Sequence, residues 1–218
     1  MAKFSIFNRI FNYMEDLEKL SSETLELAKR LKETFDKTYE APQVVWNQFA
    51  SLCTLKTFKK NTIIKRGGSI EKNGYFILSG SAGVFVWKED SYVCLDIMFE
   101  EDFFGDSMSL NTGLATPIET MAIENCEMLQ ISLDNIIKLK ETEFGKILFL
   151  QAAEMDFVNK QKQQIDLLLK TAEERYIELV SKNPKIILRI PQKHIASYLG
   201  ITNQSLSRIR KKISDQNS

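Results

Sequence analysis

The sequence contains only one histidine, His194, among its 218 residues. Because catalytic and metal sites commonly use imidazole, this scarcity argues against an enzyme or a metal centre built on that side chain. The three cysteines, Cys53, Cys94 and Cys126, are far apart and form no Cys-x-x-Cys pair. We expect them to be reduced and mostly buried, as in a cytoplasmic protein.

Long apolar runs are also missing. No stretch approaches the ~18 consecutive apolar residues of a membrane-spanning helix. The N-terminus lacks the apolar core and the small-residue cleavage site of a signal peptide. With 44% hydrophobic residues, the chain can still bury one large or two modest cores. We therefore expect a cytoplasmic protein with no membrane partner.

The most informative stretch runs from Ile190 to Ile213 and predicts two short helices around Gly200. Gly200 can adopt the left-handed backbone that such a turn needs, and Thr202 is a favourable N-cap for a helix that starts at Asn203. Apolar residues recur at helical spacing on both sides of the glycine, namely Ile195, Ala196, Leu199, Leu206, Ile209 and Ile213. This pattern is typical of a helix-turn-helix, whose second helix enters the major groove of DNA.

The charge distribution favours DNA binding over a merely structural pair of helices. The segment from Lys182 to Ser218 holds eight lysines and arginines and one acid, Asp215, a net charge of +7. Because the whole chain is formally neutral, residues 1–181 carry a net charge of −7. A basic segment on an acidic protein is typical of a phosphate-binding module joined to a carrier domain.

Residues 1–41 are predicted to form a helical extension. Apolar residues at spacings of three and four indicate a first helix to about Leu17 and a second that carries Leu25, Ala28, Leu31 and Phe35. The first segment is aromatic, but its polar face mixes acids and bases. We therefore favour packing on the protein itself or on a partner subunit over a membrane-surface role.

The middle of the chain predicts an antiparallel β-roll or sandwich. After Pro42 and a short helix through Val45 and Phe49, glycines separate a series of short strand-like runs. These runs are Thr57–Phe58, Thr62–Lys65, Tyr75–Ser79, Ala82–Trp87, Ser91–Phe99, Thr120–Ala122 and Glu127–Ile131. Seven strands at such spacing favour an antiparallel arrangement. Ser132 is expected to cap a short helix that begins at Leu133.

A long helix is predicted from Leu148 to Tyr176, continuing through Thr171 and stopping before Asn183-Pro184. Its apolar positions alternate by three and four, which indicates a seam for a second copy of the chain. The seam residues are Leu148, Met155, Val158, Ile165 and Leu169. The alternative is a helix lying on its own sheet, but about 30 residues span about 45 Å, too long for a small roll.

Three stretches together resemble the cyclic-AMP receptor/fumarate-nitrate (Crp/Fnr) family of bacterial transcription regulators. They are Phe58-Lys59-Lys60 with Gly80 and Phe103-Phe104-Gly105-Asp106, then Thr171-Ala172-Glu173-Glu174-Arg175-Tyr176, and finally Ile190 to Ile213. The resemblance covers residues 42–214. It implies an α+β fold with an N-terminal antiparallel β-roll (42–143), a long dimerisation helix (144–180) and a C-terminal winged helix-turn-helix (181–218).

The sequence departs from the family where cyclic AMP binds. In cyclic-AMP-binding members, a Gly-Glu pair and an Arg-Ser pair about ten residues later hold the ribose and the phosphate. Here the corresponding pairs are Gly105-Asp106 and Thr116-Pro117. No guanidinium is left for the phosphate, and proline has no N–H to donate. We expect that cyclic AMP does not bind in the usual way. The alternative is a sensor of a cyclic nucleotide or another small molecule with a rebuilt pocket.

Other cofactors of the family are not expected. No cysteine precedes Cys53, which argues against the N-terminal iron–sulfur cluster of oxygen-sensing members. The only histidine, His194, lies in the helix-turn-helix, which argues against a haem ligand. A cupin-like enzyme needs two or three histidines in the roll, and the roll has none. No catalytic residue or metal site is predicted.

The resemblance also suggests which residues contact DNA. Asn203, Gln204 and Arg208 fall at base-reading positions, where Arg suits guanine and Asn or Gln suits adenine. The phosphate contacts are expected from Gln192, Lys193, Thr202, Ser205, Arg210, Lys211 and Lys212. We predict a homodimeric regulator of double-stranded DNA that also contacts RNA polymerase. A non-DNA interaction protein with a vestigial helix-turn-helix is the remaining alternative.

Overall fold

A computed structural model describes residues 20–35 and 41–216. The described strands are β1 (Cys53–Phe58), β2 (Ile63–Lys65), β3 (Asn73–Ser79), β4 (Ala82–Lys88), β5 (Ser91–Met98), β6 (Phe103–Phe104), β7 (Ile118–Ala122) and β8 (Cys126–Ser132). The described helices are α1 (Ser22–Phe35), α2 (Gln43–Ser51), α3 (Ser107–Thr112), α4 (Leu133–Lys140), α5 (Glu143–Leu169), α6 (Ala172–Lys182), α7 (Ile186–Arg189), α8 (Gln192–Tyr198) and α9 (Asn203–Gln216). The first helix predicted for the extension lies outside the described residues.

The described chain divides into two compact units. One combines the residues up to Thr54 with Ile131–Gln151, and the other combines Leu55–Gln130 with Ala152–Ser218. The second unit therefore contains most of the β-roll together with all of α6 to α9. The roll and the helix-turn-helix share one compact unit although α4 and the start of α5 separate them in sequence.

The first unit is built on aromatic packing and two side-chain caps. Trp46 of α2 is fully buried, and its ring meets that of Phe144 edge-on at 5.1 Å. The Asn135 amide donates to the carbonyl of Leu52 at 2.9 Å. The Ser132 hydroxyl accepts the N–H of Asn135 at 3.2 Å, which confirms the predicted cap of α4. Helix α1 also confirms the second predicted helix of the extension.

The β-roll consists of two four-stranded sheets, with strand orders β1-β8-β3-β6 and β2-β7-β4-β5. Strands β4 and β5 form an antiparallel hairpin that turns at Glu89-Asp90, as predicted. Apolar side chains from both sheets meet inside, including Ile77 and Met128 at 0% exposure. All seven predicted strands are present. The eighth, β6, was missed because only two residues form it.

The long helix is shorter than predicted. Helix α5 ends at Leu169, and Thr171 begins a new helix, α6. The Thr171 hydroxyl accepts the N–H of Glu174 (3.2 Å), while the Glu174 carboxylate accepts the N–H of Thr171 (2.8 Å). This capping box satisfies N–H groups that only a helix start leaves open. The prediction that Thr171 to Tyr176 continues one helix is therefore wrong, although α6 does end before Asn183-Pro184.

The C-terminal part matches the predicted helix-turn-helix but not the predicted wing. Helix α8 ends before Gly200, whose φ of 67° is left-handed, and α9 begins at Asn203 as expected. Every regular element described after Lys182 is a helix. A wing needs a pair of strands. Here residues 186–189 form α7 and the polar end of the chain extends α9 to Gln216, so no segment described after Lys182 supplies one.

Candidate functional site

The turn between α8 and α9 is held by local hydrogen bonds. The Thr202 hydroxyl accepts the N–H of Ser205 at 3.1 Å, so Thr202 caps α9 as predicted. The Gln192 amide donates to the Ser207 hydroxyl (2.8 Å) and to the carbonyl of Asn203 (3.3 Å). Leu206 is fully buried beneath the turn. These contacts fix the start of α9 relative to the start of α8.

Three side chains on the outer side of α9, Asn203, Gln204 and Arg208, define what we call the reading face. All three are exposed. Among the described residues their side chains have no recorded hydrogen-bond or ion-pair partner. The structure therefore presents the predicted base-reading residues together, on the first two turns of one helix, with free donors and acceptors.

The predicted phosphate contacts fall into two groups. Lys193, Arg210 and Lys211 are exposed at the surface. Lys212 instead pairs with Glu173 of α6 at 2.7 Å, with its side chain 57% exposed. Gln192, Thr202 and Ser205 are used in the turn itself. A phosphate role for this second group would use atoms that are already hydrogen-bonded within the protein.

Around the predicted effector pocket lies a buried polar cluster of Lys65, Asp106 and Thr116, which we call the Lys65 cluster. The Lys65 ammonium donates to Asp106 Oδ2 (2.7 Å), to the Thr116 hydroxyl (2.9 Å) and to the carbonyl of Ile118 (2.8 Å). The side chains of Lys65 and Asp106 are 3% and 0% exposed. All three ammonium donors are thus used inside the protein.

Asp106 is equally occupied. Its Oδ1 atom accepts the N–H of Ser109 at 3.0 Å and caps α3, while Oδ2 also accepts the hydroxyl of Thr116. Burial alone would raise the pKa of Asp106, but the hydrogen bonds from Lys65 and Thr116 outweigh it and hold the pKa below its usual value. Asp106 is therefore an ionised carboxylate with both oxygens engaged.

The four predicted pocket residues do not all meet. Gly105 precedes Asp106 with a φ of 147°, and Thr116 lies against Asp106, but Pro117 is exposed. Lys65 was missed by the sequence reasoning. Its only signal was a lysine that ends the apolar run Ile63-Ile64, at a strand position that turns out to be 5% exposed.

A second site missed from the sequence joins the helix-turn-helix to the roll. Arg189 donates to both oxygens of Glu100, from Nη1 at 2.8 Å and from Nη2 at 2.7 Å. It also reaches Glu124, from Nε at 3.0 Å and from Nη2 at 2.6 Å. We call Arg189, Glu100 and Glu124 the Arg189 clamp. Arg189 had been counted only as one of the basic residues of the segment.

An apolar core continues beside the clamp from the roll into the helices. Its buried members from the roll are Phe85, Cys94, Ile97 and Ile123, and those from the helices are Tyr176, Ile186, Ile190, Ile195, Ala196, Leu199 and Leu206. The His194 ring packs on Phe85 with ring centroids 5.0 Å apart. Burial, reinforced by Lys193, lowers the pKa of His194 to about 4. His194 is therefore a neutral core side chain.

The residues predicted for a dimer seam differ in exposure. Met155, Val158, Ile165 and Leu169 are 61%, 58%, 53% and 80% exposed, so half of each side chain or more is open to solvent. Leu148 is only 2% exposed because it packs inside the first compact unit. An apolar row of this kind on one helix is a feature of self-association.

The remaining classes of site can be assessed for the described part of the chain. No group of three or more His, Cys, Asp or Glu side chains there is placed to hold a metal ion. Likewise, no helix in residues 20–35 and 41–216 is both long and apolar enough to cross a membrane. The three cysteines are free thiols, and Cys94 and Cys126 are buried.

Comparison with known families identifies the roll. Residues 55–143 match the family described as the cyclic nucleotide-binding domain. No curated protein sequence matches the chain significantly. The family match covers strand β1 to helix α4 and includes every member of the Lys65 cluster.

Solved structures of transcription regulators share the fold. The c-di-GMP-responsive global regulator CLP of Xanthomonas campestris is 16% identical, with a TM-score of 0.63 over 79% of this chain and 92% of that one. FixK2 from Bradyrhizobium japonicum is 17% identical, with a TM-score of 0.65 over 76% and 86%. A regulator of the Crp/Fnr family from Eubacterium rectale is 13% identical, with a TM-score of 0.65 over 84% and 88%. Their likeness shows the fold, and all three are regulators rather than enzymes.

Proposed function

Because residues 55–143 match the cyclic nucleotide-binding domain family and the chain has the fold of Crp/Fnr regulators, we propose that it is a transcription regulator that binds DNA as a homodimer. The single observation that carries this proposal is the reading face. Asn203, Gln204 and Arg208 lie exposed on one helix within a segment of net charge +7. Uncovered polar groups on a basic helix suit the base edges of the major groove.

The homodimer is supported by the exposed apolar row on α5. Val158 and Ile165 are two turns apart and more than half exposed, which is costly for a monomer in water. A parallel pair of such helices would cover both rows and relate the two reading faces by a two-fold axis. The dimer would then bind half-sites about 10–10.5 base pairs apart, or a multiple of that distance.

We further propose that the roll does not bind cyclic AMP in the usual way. The support is now twofold. Thr116-Pro117 stands where the family has its phosphate-binding Arg-Ser pair, and Asp106 already uses both oxygens on Lys65, Thr116 and Ser109. A nucleotide would have to break a buried ion pair without supplying a guanidinium in return. We place the protein in the cytoplasm and expect contact with RNA polymerase, as in the family it resembles.

Selection of binding sites from random duplexes tests the DNA-binding proposal. The full-length protein should enrich a sequence with two-fold symmetry, and the variant Ile165→Asp should weaken binding by shifting the protein to monomers in sedimentation. Gln164→Asp is the matched control, because Gln164 is exposed on the same helix but lies outside the apolar row. Enrichment of no sequence by the wild-type protein would contradict the proposal.

Calorimetry with cyclic AMP and cyclic GMP tests the proposal on the roll. We expect no binding in the micromolar range. Micromolar affinity for cyclic AMP, with the nucleotide seated near Thr116 in a structure of the complex, would contradict the proposal and favour a sensor with a rebuilt pocket.

A further inference from the structure

We propose that Arg189 is a positioning residue for DNA binding. It fixes the helix-turn-helix on the β-roll and so sets the half-site spacing that the dimer accepts. The proposal rests on the proposed function, because it concerns the same reading face and the same dimer. It is argued from the geometry of the Arg189 clamp, from the shared apolar core and from the exposure of α9.

The clamp fixes direction as well as distance. Arg189 meets Glu100 with two parallel hydrogen bonds and meets Glu124 through Nε and Nη2. The guanidinium also lies over the ring of Phe99, 5.1 Å from its centroid. A guanidinium is a rigid planar fork, so pairing on two sides and stacking on one face restrict its rotation.

The carboxylates of the clamp are themselves held by the roll. Glu100 Oε1 accepts the N–H of Gly80 at 2.9 Å, and the backbone N–H of Glu124 donates to the carbonyl of Ser81 at 3.2 Å. Gly80 has a φ of 90°, and a Cβ there would lie 2.4 Å from the carbonyl oxygen of Asn125. Only glycine fits this turn, so the two acids project from a tightly defined part of the roll.

Two further contacts prevent the helices from pivoting about the clamp. The His194 ring packs on Phe85, and the Ser197 hydroxyl accepts the N–H of Cys94 at 2.8 Å. Both belong to α8, whereas Arg189 ends α7. Contacts at three separate points define an orientation, and the apolar core between them excludes water.

The docking leaves the reading face free. Asn203, Gln204 and Arg208 are exposed although α8 is packed on β5. Arg189, in contrast, is directed to the protein's own acids. The roll therefore holds the module from behind without covering its DNA-contacting side, which suits a positioning role rather than occlusion of the reading face.

Spacing is the property that such a device controls. Because B-DNA turns once in about 10–10.5 base pairs, adding one base pair between half-sites rotates one of them by about 35°. A module held at three points cannot follow that rotation without breaking contacts. A module freed from the clamp can follow it and would accept altered spacings.

The test measures binding of the full-length protein to duplexes whose half-sites, taken from the site selection, stand at the preferred spacing or one or two base pairs from it. Arg189→Gln should weaken binding at the preferred spacing and reduce discrimination between spacings about tenfold, equal to about 1.4 kcal/mol. Glu100→Gln should reduce discrimination in the same direction although it changes the net charge oppositely. Lys185→Gln is the matched control, an exposed cation of the same segment, and should keep full discrimination.

Other outcomes overturn the proposal. Equal loss of affinity at every spacing would make Arg189 merely structural, and tighter binding at every spacing would make the docking inhibitory. Unchanged discrimination in both clamp variants would remove any role. Glu100→Gln keeps the test valid if Arg189→Gln does not fold. If the wild-type protein binds no duplex, the proposed function fails instead, and hydrogen exchange of α8 then decides separately whether the clamp holds the module: unchanged exchange in Arg189→Gln would refute that too.

Discussion

The reading face and the Lys65 cluster are both made of polar side chains at sites where Crp/Fnr proteins bind phosphates or bases, yet they differ in what those side chains touch. Asn203, Gln204 and Arg208 are exposed, with their polar groups open to a ligand. Lys65 and Asp106 are 3% and 0% exposed, and their polar atoms are already paired. The comparison teaches that a polar residue at a family's binding position indicates ligand binding only when its own fold has not already satisfied it.

The largest expected effect breaks the Lys65 cluster. Lys65→Met should lower the free energy of unfolding by about 3–5 kcal/mol, because it leaves the Asp106 carboxylate buried and without its cation. Urea unfolding measures this loss. Lys146→Met is the control, since Lys146 pairs with Glu143 at the surface with side chains 56% and 88% exposed. That exposed pair should contribute only about 0–1 kcal/mol. Similar losses in the two variants would refute the distinction.

His194 sharpens the comparison because it belongs to the basic segment but is buried like the Lys65 cluster. Its pKa is about 4 in the folded protein, below the usual value near 6.5. Between those values the unfolded chain binds more protons, so stability should be complete above about pH 6.5 and fall as the pH drops toward 4. The contribution is at most about 3 kcal/mol.

Urea unfolding at several pH values measures this dependence. Carboxylates also titrate in the range, so the informative quantity is the difference between the wild-type protein and His194→Gln, which cannot gain the proton. We expect the variant to lose less stability between pH 6.5 and pH 4. Parallel profiles for the two proteins would show that His194 does not titrate in this way.

A smaller effect is expected at the reading face, and on binding rather than stability. Arg208→Ala should cost about 1–3 kcal/mol of DNA affinity and relax specificity at one base pair in each half-site. Its free energy of unfolding should stay within about 0.5 kcal/mol, since Arg208 is exposed. Competition binding with single-base variants of the site measures the specificity. Unchanged sequence preference would remove the base-reading role.

Lys211→Ala provides the smallest effect and the contrast to Arg208→Ala. Lys211 is an exposed lysine predicted to contact phosphate, so its loss should weaken all sequences alike. The slope of log affinity against log salt concentration should decrease by about 1. A loss confined to one base pair would instead assign Lys211 to base reading.

The sequence predicted well those features that local chemistry determines. Gly200 and Thr202 mark the turn and the cap, and the structure places α8 and α9 around them as expected. Thr171 carried an equally local signal, a threonine three residues before Glu174. The apolar spacing of the long helix outweighed it in our prediction, and the resulting continuous helix was wrong.

Features that depend on tertiary contacts could not be predicted in this way. Arg189 lies 89 residues from Glu100 and 65 from Glu124, and Lys65 lies 41 from Asp106. Each of these residues, taken alone, is an ordinary surface ion in the sequence. Only the packing of the roll reveals that Lys65 is internal and that Arg189 faces the protein's own acids. The absent wing is a further case, since it was implied by the family and not by the residues.

Strand β5 forms one border of its sheet, and its outer backbone groups have no neighbouring strand. Instead, Ser197 of α8 binds the N–H of Cys94, and Gln163 of α5 donates to the carbonyl of Leu95 at 3.2 Å. Uncovered strand borders invite pairing between molecules and aggregation. The helix-turn-helix thus also acts as a shield for the roll, and a chain shortened at Lys182 should be prone to aggregate rather than yield an isolated sensor domain.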